Sequence, residues 1–97
     1  MKNKKDFVIV RAYIAGVHAG ELVSKSKDTV VLKNSIRLWQ WSGASLSQLA
    51  ATGPASGINK FGLPVIKTEI ISPQGFEIIY CTKEASEAIK KVGSWKV

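Results

Sequence analysis

A chain of 97 residues is expected to form one small domain, 1–97, with no room for a second core. Its 45% hydrophobic and 22% charged residues are the composition of a folded globular protein and argue against disorder. The outlier is charge: 14 Lys and Arg against 7 Asp and Glu give +7, a sign that attracts nucleotides, polyanions or acidic surfaces.

Phe7 to Ile14 is β-branched and aromatic with Arg11 embedded, and predicts a first strand. Gly16 and Gly20 within 15–20 predict a turn or bulge. Glu21 to Ser24 reads as a short second strand, Lys25 to Asp28 as a polar connection, and Thr29 to Lys33 as a third strand. Asn34 and Ser35 have turn character, so a fourth strand is expected from Ile36 to Trp41. Successive strands with tight connections make an antiparallel meander.

Ser45 followed three residues later by Gln48 is a capping box, and Gly53-Pro54 ends the helix that it starts. After a loop over 54–60, Phe61 to Ile71 returns to extended structure, with Pro64 confined to an edge or a strand start. Ser72-Pro73-Gln74-Gly75 is a turn pattern, and the segment to Cys81 is expected to pair back as a hairpin partner. Thr82 caps a second helix, with Glu84 early and Lys90 and Lys91 late to suit the macrodipole. Ala85, Ala88, Ile89 and Val92 form its buried stripe, Gly93 ends it, and Trp95 on the tail needs a surface to dock on. The expected architecture is α+β: an antiparallel sheet of about six strands, meander plus hairpin, with two helices.

Catalysis finds little support. His18 is the only histidine and stands among glycines without a carboxylate nearby in sequence, and no two acids have the spacing of an acid–base or metal pair. Ser42-Gly43-Ala44-Ser45 lacks the residues of a nucleophile elbow or a phosphate loop. One Cys, Cys81, and one His cannot close a zinc site, and a single Cys forms no internal disulfide, which suits a reducing compartment. No enzyme, metal or cofactor is therefore expected. No signal-peptide pattern or run of ~18 apolar residues is present, so a cytosolic protein without membrane contact is expected.

Binding is better supported. Twelve of the 14 bases are lysines spread along the chain, as solubility alone would require, whereas Arg11 and Arg37 lie inside apolar strand patterns. Their planar guanidinium matches phosphate oxygens and stacks on rings. In an extended strand Arg37, Trp39 and Trp41 share a face, opposite Ile36, Leu38 and Gln40. If Ile36 and Leu38 face the core, both indoles lie outside it and need a cover, either a ligand or another subunit. With the indoles inward instead, a helix must cover Ile36 and Leu38. Arg11 and Tyr13 would add a second cation and a phenol if their strand lines the same cleft, and His18 stands beside them in the chain. Ser42, Gly43, Ser45 and Ser47 surround the first helix start, whose free N–H groups suit a phosphate, although Ser45 serves equally well as a plain cap.

The segment Val10 to Gly20, then Val30 to Asn34, then Arg37 to Ala50 resembles a family of small, functionally unassigned proteins of bacteriophages and prophages. Similarity continues through Glu77 to Thr82 into the last helix and so covers nearly the whole chain, the Arg–Trp–Ser–Leu block being its most specific part. The resemblance implies a phage accessory protein of the host cytoplasm and brings no catalytic residue with it. Such proteins often counter host defence, some as oligomeric sponges for cyclic nucleotide or ADP-ribose-type immune signals. The expected function is accordingly sequestration of a small nucleotide by a homo-oligomer without cleavage. A single-stranded nucleic-acid-binding module and a structural virion component are the alternatives.

Overall fold

The structure, a computed structural model, describes residues 6–13, 15–41, 45–54 and 59–92. Strands β1 (Phe7–Ala12), β2 (Gly16–Lys25) and β3 (Thr29–Gln40) are followed by helix α1 (Leu46–Thr52). Strands β4 (Lys60–Phe61), β5 (Val65–Ile71) and β6 (Phe76–Tyr80) and helix α2 (Lys83–Lys91) complete the chain. The six strands form one antiparallel sheet in the order β4-β3-β2-β1-β6, with β5 also paired to β3, so the α+β expectation holds. Both helices start where their caps predict. The Ser45 hydroxyl accepts from Gln48 N–H at 3.2 Å and the Thr82 hydroxyl accepts from Ala85 N–H at 3.0 Å. Gly53 closes α1 at φ 86°, a conformation that favours glycine. Among the described residues no helix is long and apolar enough to cross a membrane.

Three details of pairing differ from the sequence reading. First, Asn34 and Ser35 do not turn the chain; β3 is a single strand of 12 residues running through them. Between the partners Glu21↔Lys33 and Ala19↔Ile36, β2 supplies only Gly20 while β3 supplies both Asn34 and Ser35. This is a β-bulge, and Asn34 takes the left-handed conformation (φ 50°) that Asn tolerates. Second, β2 begins at Gly16 and not at Glu21; of the turn or bulge expected over 15–20, Gly20 takes the bulge, as the residue opposite the two that β3 supplies. A Cβ there would lie 2.9 Å from both Cα and Cβ of Ser35. Third, the turn at 72–75 forms as expected, with Gly75 N–H donating to Ser72 O at 2.9 Å, but it does not join a hairpin. β5 pairs with β3 and β6 pairs with β1. The C-cap of α2 is Val92, while Gly93 and the docking of Trp95 lie outside the described residues.

The third difference forces the sheet to curl. Laid flat, β5 and β6 would stand four strand spacings apart, roughly 19 Å, yet a tight turn joins them. The sheet rolls up, and one face becomes concave. Val8, Val10, Ala12, Val30, Leu32 and Ile70 bury themselves on that face, with Leu22, Phe76 and Ile78 packed against them, so β1, β2, β3, β5 and β6 all converge on it. The opposite, convex face carries Phe7, Ile9, Ala19, Ile36, Leu38 and Phe61 beneath Leu49 and Ala50 of α1 and Ile89 of α2. The bulge makes both cores possible. Before it Val30 and Leu32 point into the roll; after it Ile36 and Leu38 point to the helices, because the extra residue inverts the alternation.

Gly20→Ala is expected to destabilise the fold by about 1–3 kcal/mol through overpacking against the Ser35 backbone. Urea denaturation followed by circular dichroism measures it.

Candidate functional site

Past the bulge, the side chains of β3 that continue along the concave face are Ser35, Arg37 and Trp39. His18 of β2 is the cross-strand partner of Arg37 and shares that face. Thr68 of β5 faces them from the other side, its hydroxyl hydrogen-bonded to that of Ser35. With Leu63 and Val65 these residues line a cleft of about 230 Å³ at the mouth of the roll. The Arg37 guanidinium carbon lies 4.9 Å from the centroid of the Trp39 ring, a cation–π stack. Trp39 is 58% exposed beside the cleft. Gly62 runs alongside, its N–H donating to Arg37 O at 2.8 Å.

Electrostatics set Arg37 apart from the other arginine. Among the described residues Arg37 has no carboxylate partner, whereas Arg11 Nε lies 3.3 Å from Glu77 Oε1. Arg11, Tyr13 and Glu77 line a separate and larger cleft of about 540 Å³ with Ala12, Gly75 and Phe76. The two clefts have no lining residue in common, so the second cation and phenol expected from β1 do not join Arg37. The larger hollow presents a cation already matched by an acid. The smaller one holds a cation with no carboxylate beside it among the described residues.

Trp41 also departs from expectation. From Leu38 to Gln40 β3 advances two residues where β4 takes a single step from Phe61 to Lys60, a further irregularity centred on Trp39. Alternation is inverted again, and Trp41 becomes half-buried against the helix-side core rather than sharing the face of Arg37 and Trp39. Ser45 and Ser47 are exposed at the start of α1, which packs on the convex face and therefore away from the Arg37–Trp39 stack. Ser45 is occupied as a cap, and Ser42 and Gly43 lie outside the described residues. Sequence reasoning missed Ser35, Thr68, Leu63 and Val65. Their convergence needs both the bulge and the pairing of β5, for which Asn34 opposite a glycine was the only local sign.

His18 is buried, and its Nε2 donates to Ala15 O at 2.9 Å. Burial holds the imidazole below its usual titration range; the Ala15 bond opposes this and the nearby Arg37 charge adds to it. The ring is therefore neutral at physiological pH and braces the wall of the cleft behind Arg37. Burial raises the Cys81 thiol to about 11, so it stays protonated and is a poor nucleophile at neutral pH. Among the described residues no three His, Cys, Asp or Glu side chains come together as metal ligands. The geometry offers a planar cation stacked on an indole, two hydroxyls and an apolar rim, which is the chemistry of binding.

A family model described as a domain of unknown function (DUF6948) matches residues 5–89. Neither a curated protein nor a solved structure matches the chain.

Because the folded state disfavours the protonated imidazole, the unfolded chain binds more protons below the ordinary value of 6.5. The His18 contribution to stability is thus fully present above that value and is lost as pH falls from it towards the lowered folded-state value. Melting temperatures between pH 7.5 and roughly 5, above the range where carboxylates dominate, should fall with acidification in the wild type and stay flatter in His18→Gln.

Proposed function

The chain belongs to the DUF6948 family, and we propose that it binds a small nucleotide-type ligand at the Arg37–Trp39 cleft and holds it without cleavage. The observation that carries this reading is the guanidinium of Arg37 stacked on the exposed Trp39 ring with no carboxylate partner among the described residues. A phosphoryl oxygen is the natural counter-charge for that fork, and a base can lie on the open indole surface. The hydroxyls of Ser35 and Thr68 stand within the same cleft. At about 230 Å³ the cleft is smaller than the usual small-molecule pocket of ~300–1,000 Å³. It accommodates one end of such a ligand and leaves the remainder over Trp39. Net charge +7 favours capture of an anion at a distance.

A binder without catalytic machinery suits sequestration. The resemblance to phage proteins supports the fuller reading, an accessory protein of the host cytoplasm that withdraws a cyclic nucleotide or ADP-ribose-type immune signal, working as a homo-oligomer. The same exposed stack would serve a single strand of nucleic acid, and salt separates the two: strand binding weakens steeply as counterions are released.

Isothermal titration with cyclic dinucleotides and cyclic ADP-ribose isomers is the direct test, and the ligand should be recovered intact from the complex. Arg37→Ala is expected to weaken binding by roughly 10- to 100-fold, the loss of charge-assisted hydrogen bonds. Trp39→Ala should cost about 1–3 kcal/mol of stacking. Arg11→Ala should leave affinity unchanged. Absence of binding to every compound at micromolar protein removes the proposal.

A further inference from the structure

The outer edge of β5 has no partner strand among the described residues, because β5 and β4 run end to end along one edge of β3. Natural edges of this kind are normally blunted by charge, proline or a short length. Here the strand runs for seven residues, Val65-Ile66-Lys67-Thr68-Glu69-Ile70-Ile71, and leaves Ile66 80% and Ile71 64% exposed. Pro64 lies before the strand and interrupts none of it.

We infer that this edge pairs with β5 of a second copy, antiparallel, about a twofold axis through Thr68. The sequence is self-complementary about that residue. In this register Lys67 stands opposite Glu69 of the partner subunit, Ile66 opposite the partner's Ile70, and Val65 opposite the partner's Ile71. A shift of two residues in one direction sets Lys67 against its own copy, and in the other sets Glu69 against its own copy. Like charges directly opposite destabilise a sheet, whereas opposite charges and β-branched pairs stabilise it, so a single register is favoured. In one copy Lys67 and Glu69 are 3.6 Å apart on the same strand face. They are already aligned to exchange that contact for two across the seam. An isolated edge lysine protects against pairing; a lysine followed two residues later by a glutamate, between apolar β-branched neighbours, specifies it.

The axis stands perpendicular to the sheet, so both concave faces continue on one side. Thr68 and Val65 line the Arg37 cleft. Pairing therefore sets the two clefts on the same side of the joined sheet. This names the interface of the homo-oligomer in the reading above, yet it stands on β5 alone and does not require a ligand.

Sedimentation equilibrium at micromolar concentrations reads the result as mass. The wild type is expected at about twice the 10.5 kDa of one chain. Lys67→Glu and Glu69→Lys alone should each shift the protein to monomer. The double exchange K67E/E69K should restore the dimer, as should mixing the two single variants in equal amounts. A monomeric wild type, a dimer indifferent to either single change, or failure of both restorations would overturn the interface. Nucleotide titrations on Arg37→Ala and Trp39→Ala report on the cleft independently, so loss of one reading is not mistaken for loss of the other.

Discussion

One extra residue in β3 governs this molecule. Opposite Gly20 the strand accommodates Asn34 and Ser35, and the alternation of its side chains inverts there. A strand of 12 residues would otherwise present a single apolar face; this one presents Val30 and Leu32 to the interior of the roll and Ile36 and Leu38 to the helices. Two small cores on opposite faces of one sheet share the same backbone. The arrangement depends on the smallest possible side chain at Gly20, since any Cβ would meet the Ser35 backbone, and on a residue at 34 that accepts positive φ.

The same inversion makes the site. Downstream of the bulge Arg37 and Trp39 follow the concave face, beyond the limit of the apolar cluster, and so arrive at the mouth of the roll instead of under a helix. His18 behind them is buried and neutral, which lets a guanidinium sit nearby without a second positive charge. The irregularity at Trp39 removes Trp41 from that face and gives its ring to the helix-side core. Two indoles that look equivalent in an extended chain therefore have different work: one packs, the other stacks on Arg37 in the open.

Much of the fold was legible because its signals are local. Ser45 with Gln48, Thr82 with its stripe of Ala85 and Ile89, and the turn at Ser72 to Gly75 each satisfy their own backbone groups within a few residues, and each forms as read. Pairing was less legible. A turn between two strands does not say whether they pair with each other, and here Ile71 and Phe76 leave the turn for opposite edges of the sheet. Asn34-Ser35 carries the same residue types whether it reverses the chain or bulges it; only the partner strand decides. The candidate cleft was half visible: Arg37 and Trp39 from their spacing, but not Ser35, Thr68, Leu63 or Val65, which reach them through long-range pairing alone.

By itself the sequence determined the element types, both helix caps, the charge, the absence of obvious catalytic motifs and the two residues that matter most in the candidate cleft. These follow from short-range periodicity and backbone chemistry, which need no partner. Tertiary structure alone decided which face each residue takes, that Arg11 belongs to Glu77 and not to Arg37's cleft, and that the helix start lies on the other side of the sheet from the Arg37–Trp39 stack. The physical reason is that strand faces alternate with a period of two, so one residue inserted by a distant partner strand reverses every assignment after it.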